Sequence, residues 1–107
     1  MNLPVLDFTT IGELAIDAAK RVLPPDDVRN ALVETAIDSE GHEAIRIVYV
    51  LTEGGLKRLN GDSALDLIAR VQRELSSQRE WRIPNVYYID EAGLEKQQAS
   101  QDETDDE

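Results

Sequence analysis

The chain has 107 residues, of which 22 are acidic and 11 basic, so its formal net charge is -11. A chain of this length fits one domain with a single hydrophobic core. It contains no cysteine, which excludes disulfides, thiolate metal sites and a thiol nucleophile. The acidic excess opposes long-range attraction to phosphate backbones and favours either plain solubility or a basic protein partner.

The acidic residues are concentrated in two parts of the chain. Residues 1–53 carry a net charge of -6, residues 54–90 a net charge of +1 and residues 91–107 a net charge of -6. Five of the last six residues are acidic, and residues 97–107 contain no large apolar side chain. Such a composition cannot offset the entropy lost on ordering, so we predict a disordered acidic tail over residues 91–107.

The sequence shows neither a targeting segment nor a membrane segment. The first residues have no basic region ahead of an apolar core, as a secretory signal would have. No apolar run approaches the roughly 20 residues that a membrane-spanning helix needs. We therefore expect a cytoplasmic protein without a membrane segment.

The first predicted helix follows an extended lead-in over residues 1–9. Thr10 and Glu13 have the spacing of a capping box, in which two side chains satisfy free backbone donors at a helix start. Apolar residues then recur at helical spacing, at Ile11, Leu14, Ala15, Ala18, Ala19 and Val22. We predict an amphipathic helix that begins at Thr10 and ends before Pro24 and Pro25.

Residues 44–52 contain the clearest strand signal, because five of these nine residues are β-branched. Strand alternation places Ile45, Ile47, Tyr49 and Leu51 on one face and Val48 and Val50 on the other. With apolar residues on both sides, we predict a central strand that is covered on both faces.

The preceding segment, residues 26–37, fits two patterns. A helical stripe connects Val28, Ala31, Leu32, Thr35 and Ala36, whereas residues 32–37 also have the composition of a strand. The polar residues 38–43 have turn chemistry and lead directly into the central strand. A short polar loop in this position typically closes a hairpin, so we predict a strand in residues 26–37.

The second half of the domain begins with residues 53–61, which contain three glycines and are predicted to form a loop. Asp62 or Ser63 is expected to cap a second helix that runs to about Gln78. Its apolar face consists of Ala64, Leu67, Ile68, Val71 and Leu75. A third strand over Val86–Ile89 should run parallel to the central strand because a helix connects the two.

These elements predict a single α+β domain over residues 10–90 with the order αββαβ. Two helices are expected to pack on one face of a small three-stranded mixed sheet. Such a sheet leaves its edges unpaired and one face without helices. Both features favour association with another chain, including a homo-oligomer formed through a sheet edge.

No motif in the chain predicts catalysis or a bound cofactor. His42 is the only histidine and lies among acidic residues in the predicted turn, where a solvated acidic turn explains it better than a metal site. No Gly-x-Ser-x-Gly motif supports a Ser-His-acid triad. The run from Gly54 to Lys57 matches neither the Walker nor the dinucleotide-binding pattern. We therefore predict no catalytic residue, metal ligand, cofactor or enzymatic activity.

A contact surface is predicted around the start of the third strand. Trp81, Tyr87 and Tyr88 cluster there, and tryptophan and tyrosine are frequent anchors at protein interfaces. Arg70 and Arg73 lie in the preceding basic part of the chain, which acidic residues interrupt. Alternatively, the aromatic residues cap the core and the arginines belong to a mixed-charge helix face. These five residues form the candidate partner-binding set.

The order αββαβ, with Ile-Pro-Asn-Val-Tyr-Tyr at residues 83–88, is similar in outline to KH-like ribosome-assembly factors. That resemblance implies an RNA-binding or ribosome-assembly module. The chain departs from the pattern because it has neither a Gly-x-x-Gly loop nor a strong positive charge.

A second resemblance covers residues 22–90. It is carried by Asp-Ser-Glu-Gly at 38–41, Ala-Ile-Arg-Ile-Val-Tyr-Val at 44–50, an arginine- and leucine-rich helix, and Arg-Ile-Pro-Asn-Val at 82–86. In these features the chain resembles small acidic bacterial proteins encoded beside HEPN-domain partners. HEPN proteins are often ribonuclease toxins, so the resemblance implies an antitoxin-like or accessory role. We expect a module that binds and neutralises a basic, nucleic-acid-acting protein encoded nearby, with a KH-like RNA-binding module as the alternative.

Overall fold

A computed structural model describes residues 6–96 of the protein. In chain order it contains α1 (Phe8–Val22), a 3-10 turn (Pro25–Asp27), β1 (Val28–Ile37), β2 (Glu43–Leu51), α2 (Glu53–Arg58), α3 (Gly61–Ser77) and β3 (Ile83–Asp90). Residues 91–96 are also helical and are called α4. The predicted α+β class is confirmed, with one helix more between β2 and β3 than the predicted order αββαβ contains. No helix among the described residues is long and apolar enough to cross a membrane.

The sheet has the order β1-β2-β3, so the strand with the strongest sequence signal lies at the centre. β1 pairs with β2 antiparallel, which confirms the hairpin and the predicted strand within residues 26–37, although Asp26 and Asp27 belong to the 3-10 turn. Gly41 in the hairpin turn has a φ of 86°, a conformation that favours glycine. β3 pairs with β2 in parallel, as expected for strands joined through helices.

The hydrophobic core lies between the sheet and two helices on the same face. β2 contributes the fully buried Ile45, Ile47, Tyr49 and Leu51. The helices contribute Ile11, Ala15, Ala18 and Ala19 from α1 and Leu67, Val71 and Leu75 from α3. The Tyr49 hydroxyl donates a hydrogen bond of 2.7 Å to the Ala15 carbonyl, which satisfies a polar group inside this core. The predicted packing of two helices on one sheet face is confirmed.

The opposite sheet face carries no helix along its middle in residues 6–96. Alternation along the paired strands places on it Leu32 and Glu34 from β1, Arg46 and Val48 from β2, and Ile83, Asn85 and Tyr87 from β3. We call these seven residues the open face. Arg46 and Tyr87 are exposed and Val48 is half-buried. The expectation that β2 is covered on both faces is therefore wrong at Arg46 and Val48, whereas Val50, farther along the same face, is buried.

Both long helices begin earlier than predicted. α1 is capped by Asp7, whose carboxylate accepts a hydrogen bond of 2.7 Å from the backbone N–H of Thr10. α3 is capped by Asn60, whose side-chain oxygen accepts one of 2.8 Å from the N–H of Ser63. Thr10 and Ser63 therefore lie inside the first turns. The sequence at the start of each helix contains two possible capping residues, and in both helices the earlier one forms the cap.

The predicted glycine-rich loop over residues 53–61 is instead largely helical. Thr52 caps α2 by accepting the N–H of Gly55 at 2.9 Å. A Cβ atom on Gly55 would lie 2.7 Å from the Cβ of Asp27, so this position has no room for a side chain. Asp27 is buried and accepts hydrogen bonds from the Arg58 guanidinium, including one of 3.2 Å from Nε. This ion pair holds a helix that glycine content alone disfavours.

The ends of the described chain also differ from the predicted domain limits. Phe8 and Thr9 belong to α1 rather than to an extended lead-in, and residues 91–96 form α4 rather than the start of a disordered tail. The α4 segment lies against Ile89, because a Cβ on Gly93 would come within 2.8 Å of its side chain. The remaining predictions for residues 1–5 and 97–107 lie outside the described residues.

Candidate contact site at the hairpin end of the sheet

The site is built on the short connection between α3 and β3. α3 ends as the N–H groups of Arg79 and Glu80 bond the carbonyls of Ser76 and Leu75 at 3.0 and 2.9 Å. Arg79 has a φ of 63°, the left-handed conformation that commonly terminates helices. The chain then reverses and enters β3 with Glu80 and Arg82 buried and Trp81 exposed between them.

Glu80 and Arg82 form a buried ion pair that fixes this connection. The Arg82 guanidinium donates to both carboxylate oxygens of Glu80, at 2.9 Å from Nη2 and 3.0 Å from Nε. The same carboxylate accepts the backbone N–H groups of Leu6 and Arg82, each at 3.0 Å. These hydrogen bonds, with that of the Arg82 side chain first, lower the pKa of Glu80 to about 2 and keep it ionised.

Trp81 stands between two shallow cavities. One, of about 500 Å³, is lined by Asp38, Gly41, His42, Glu43, Trp81 and Ile83. We call it the hairpin hollow, because its far wall is the β1-β2 turn. The other, of about 290 Å³, separates Trp81 from α3, where Gln72 and Ser76 line it. Trp81 is 47% exposed and Ile83 is 59% exposed, so large apolar surfaces meet solvent at this end of the sheet.

The wall of the hairpin hollow opposite Trp81 is acidic. Asp38 Oδ1 accepts the N–H groups of Glu40 and His42, each at 2.9 Å, and the backbone N–H of His42 is the main cause of its lowered pKa. The Nδ1 atom of His42 lies 3.6 Å from Asp38 and 3.7 Å from Glu40. The exposed Glu43 carboxylate forms no direct ion pair within residues 6–96, although its charge helps to raise the pKa of Arg82, after the larger contribution of Glu80.

These acids are not arranged as a metal site. Across residues 6–96, no three His, Asp or Glu side chains are placed so that they would hold one metal ion. Asp38 uses one carboxylate oxygen to close the turn, as is typical of an aspartate at the start of a turn. The acidic wall therefore provides negative charge on a rigid turn.

Tyr87 extends the apolar surface along the open face. Its side chain is 51% exposed and lies on the same side of β3 as Ile83, four residues away. The Arg46 guanidinium lies 5.7 Å from the Tyr87 ring centre, within the range of a cation–π contact. Arg46 also faces Glu34 across the strand pair, at 3.7 Å. Trp81 immediately precedes β3, and Ile83 and Tyr87 lie on one side of the strand with Asn85 between them. Together Trp81, Ile83 and Tyr87 expose a row of apolar side chains.

Tyr88 does not belong to this surface. It faces the core, where its ring stacks on Tyr49 at a centroid distance of 5.8 Å and its hydroxyl donates to the Ala64 carbonyl at 2.9 Å. Burial raises the pKa of Tyr88 to about 12. Successive residues of a strand point to opposite faces, so Tyr87 and Tyr88 cannot contact one partner surface together.

The two predicted arginines are also separate from the aromatic surface. Arg70 and Arg73 lie on α3, which packs on the core side of the sheet, whereas Tyr87 lies on the open face. Arg73 is exposed, but Arg70 is half-buried and its Nε has no hydrogen-bond partner among the described residues. Of the five predicted contact residues, only Trp81 and Tyr87 are exposed aromatic side chains at or along β3.

Two members of the site were not predicted from the sequence. Ile83 belongs with Trp81 and Tyr87 because the three positions have the same parity along an extended chain, a signal present in the sequence. Glu43 carries no such signal, because its position beside Trp81 depends on the parallel register that sets Ala44 against Ile83.

Comparison with known proteins found no matching family model, no matching curated protein and no matching solved structure.

Proposed function

We propose that this protein is a non-enzymatic, antitoxin-like regulator or accessory subunit that binds and neutralises a basic, nucleic-acid-acting protein encoded nearby. The observation that carries this proposal is the partly exposed apolar surface of Trp81, Ile83 and Tyr87 on a chain of net charge -11. Aromatic anchors supply binding energy at protein interfaces, whereas complementary charge selects the partner and speeds encounter.

The charge distribution supports a protein partner over a nucleic acid. Acidic side chains of the described chain already pair with five basic residues, namely Arg29, Arg46, Lys57, Arg58 and Arg82. These cations are therefore less available to phosphate groups. Nucleic-acid binding normally depends on a face of unpaired Lys and Arg, and the exposed aromatic residue Trp81 has acidic residues beside it instead.

The sheet edges provide a second route to association. β1 and β3 are the outer strands, and an outer strand presents unpaired backbone groups that attract another strand. Homo-oligomerisation through an edge remains part of this proposal. Two copies of an acidic chain repel each other, so self-association should strengthen with added salt, whereas binding to a basic partner should weaken.

Co-expression with the product of the adjacent gene tests the proposal. We expect the full chain to retain this partner at low salt and to reduce its action on nucleic acid. Tyr87→Ala should weaken retention more than Thr9→Ala, an exposed control on α1 away from the open face. If the wild-type chain retains no partner and leaves the neighbour's activity unchanged, the proposal is wrong.

Two further measurements separate the alternatives. Filter binding with RNA tests the KH-like alternative, which requires salt-sensitive binding that Arg70→Ala and Arg73→Ala weaken. Such binding would favour an RNA-binding module over the proposed function. A measurable turnover that His42→Ala abolishes would contradict the proposed absence of enzymatic activity.

A further inference from the structure

We infer that the hairpin hollow receives an arginine or lysine side chain of the basic partner, with the cation over the Trp81 ring and facing the Glu43 carboxylate. This inference rests on the proposed function, because it takes the partner to be basic. It goes further by naming the chemical group that is recognised and the residues that recognise it.

The aromatic wall is suited to a cation. Trp81 is 47% exposed and lines the hollow directly. Tryptophan is the best aromatic partner for a cation, and the attraction is strongest where water is partly excluded. A hollow of about 500 Å³ has room for the aliphatic stem of a long side chain as well as its charged end. Ile83 beside Trp81 gives that stem an apolar surface.

The charges around the hollow select a cation over an anion. Glu43 has no ion-pair partner within residues 6–96, and Asp38 lines the same hollow. Arg82 is buried and paired with Glu80, which raises the pKa of Arg82, and the charge of Glu43 adds a smaller contribution. A phosphate in this position would face carboxylates without a free cation to bind it. An incoming guanidinium would gain a charge-assisted hydrogen bond from Glu43.

The geometry favours arginine over lysine. A guanidinium is planar, stacks on an aromatic ring and binds a carboxylate with two parallel hydrogen bonds. An ammonium group is a compact charge that is more strongly hydrated and stacks less well. We therefore expect an arginine-containing segment of the partner to bind more tightly than the same segment with lysine.

Trp81 is the only tryptophan of the chain, so its fluorescence reports on this end of the sheet. Because Trp81 lines both cavities, the Glu43→Gln variant is needed to assign a change in emission to the hairpin hollow. The probe is a capped hexa-arginine peptide, titrated into the full chain at low ionic strength, with hexalysine and hexacitrulline for comparison. We expect a saturable change in Trp81 emission with hexa-arginine, a weaker response with hexalysine and none with neutral hexacitrulline.

Two variants test the assigned contacts. Glu43→Gln should weaken hexa-arginine binding by about tenfold, the size expected when a charge-assisted hydrogen bond becomes neutral. Glu13→Gln removes the same charge from the exposed side of α1 and should change binding less than about twofold, since distant exposed charges are largely screened. Trp81→Leu, followed by calorimetry because it removes the fluorophore, should also weaken binding.

Several outcomes would overturn the inference. Equal weakening by Glu43→Gln and Glu13→Gln would mean that the peptide responds to overall charge. An emission change on concentrating the protein alone would place a second copy in the hollow, and tighter binding of an RNA oligonucleotide by Glu43→Gln would indicate an anion site. If the co-expressed partner is retained equally by wild type, Glu43→Gln and Trp81→Leu, the inference fails while the proposed function stands. If wild type retains no partner, the proposed function itself fails.

Discussion

At the scale of single residues, the exposure of Trp81 depends on the buried charges on either side of it. Glu80 and Arg82 point inward although they are charged, and Trp81 points outward although it is largely apolar. Burial is tolerated because the Glu80 carboxylate accepts four hydrogen bonds and the Arg82 side chain also reaches the Leu6 carbonyl at 3.1 Å. The pair thus joins the start of β3 to Leu6, the residue before the Asp7 cap of α1.

Glu80→Gln should strongly destabilise the protein. The substitution leaves the buried Arg82 guanidinium without a counter-charge, a change that typically costs about 3–5 kcal/mol. Chemical denaturation at neutral pH measures the loss directly. Glu13→Gln, which removes an exposed acid, should leave the free energy of unfolding nearly unchanged. A Glu80→Gln protein as stable as wild type would show that the pair contributes no net stability.

The same pair makes the stability of the folded protein depend on pH, and the lowered pKa of Glu80 determines the direction of that dependence. In the folded protein this pKa is lowered from 4.5 to about 2, so the folded state favours the ionised form. The resulting stability is fully present above pH 4.5 and is lost as the pH falls towards 2. Between pH 4.5 and pH 2, the free energy of unfolding of the wild type should fall by up to about 3 kcal/mol more than that of Glu80→Gln. This size follows from about 1.4 kcal/mol per pKa unit.

At the scale of elements, the positions of the strands could be predicted because burial leaves a period of two in the sequence. β2 shows this period clearly, and the polar residues 38–43 identified the hairpin although a helical stripe competed in β1. Helix starts were less predictable, because Asp7 and Thr10 each fit a cap and local sequence does not decide between them. α2 was missed because Asp27 and Arg58, which hold it, are 31 residues apart.

The contact site was only partly predictable for the same reason. Composition near residue 81 identified a group of aromatic residues. Alternation along the predicted third strand already separates Tyr87 from Tyr88, but which of the two faces the core depends on the packing of α3 against the sheet, where Tyr88 bonds Ala64. The acidic side of the hairpin hollow depends on strand register and on the turn, which bring Glu43 near Trp81. Residues 43 and 81 are far apart in the sequence, so local patterns do not show that they are close.

The start of α3 gives a direct test of the observed cap. Asn60→Ala should destabilise the protein by about 1 kcal/mol, because the N–H of Ser63 loses its hydrogen-bond acceptor. Ser63→Ala should cost less, because the structure gives the Ser63 side chain no capping role. Thermal or chemical denaturation of the two variants compares them. A larger loss with Ser63→Ala would favour the cap predicted from the sequence.

Substitution of one glycine in α2 and one in α3 compares a tightly packed position with an open one. Gly55→Ala places a methyl group 2.7 Å from the Asp27 Cβ and should cost about 1–3 kcal/mol through overpacking. Gly61→Ala meets no atom within 4 Å at the start of α3 and should be neutral or stabilising by up to about 1 kcal/mol, since it restricts the unfolded chain. Equal effects in denaturation experiments would contradict the tight packing of α2 on Asp27.

At the scale of the whole molecule, charge and the apolar surface act at different distances. If the protein binds a basic partner as proposed, the net charge of -11 would attract it over about 10 Å at moderate ionic strength, before any contact forms. Trp81, Ile83 and Tyr87 would act only after contact, when their surfaces lose water. We therefore expect long-range charge to govern the association rate constant and the apolar anchors to govern the dissociation rate constant.

Truncation after Lys96 separates these two contributions. It removes residues 97–107, which contain five acids and no base, and changes the formal net charge from -11 to -6. We expect the truncated chain to bind the co-expressed partner with a slower association rate, a weaker dependence of that rate on salt and a nearly unchanged dissociation rate. Trp81→Leu should instead leave the association rate nearly unchanged and raise the dissociation rate at all salt concentrations. Stopped-flow mixing over a range of salt concentrations measures both rates. A truncation that mainly speeds dissociation would mean that residues 97–107 contact the partner directly, rather than attracting it from a distance.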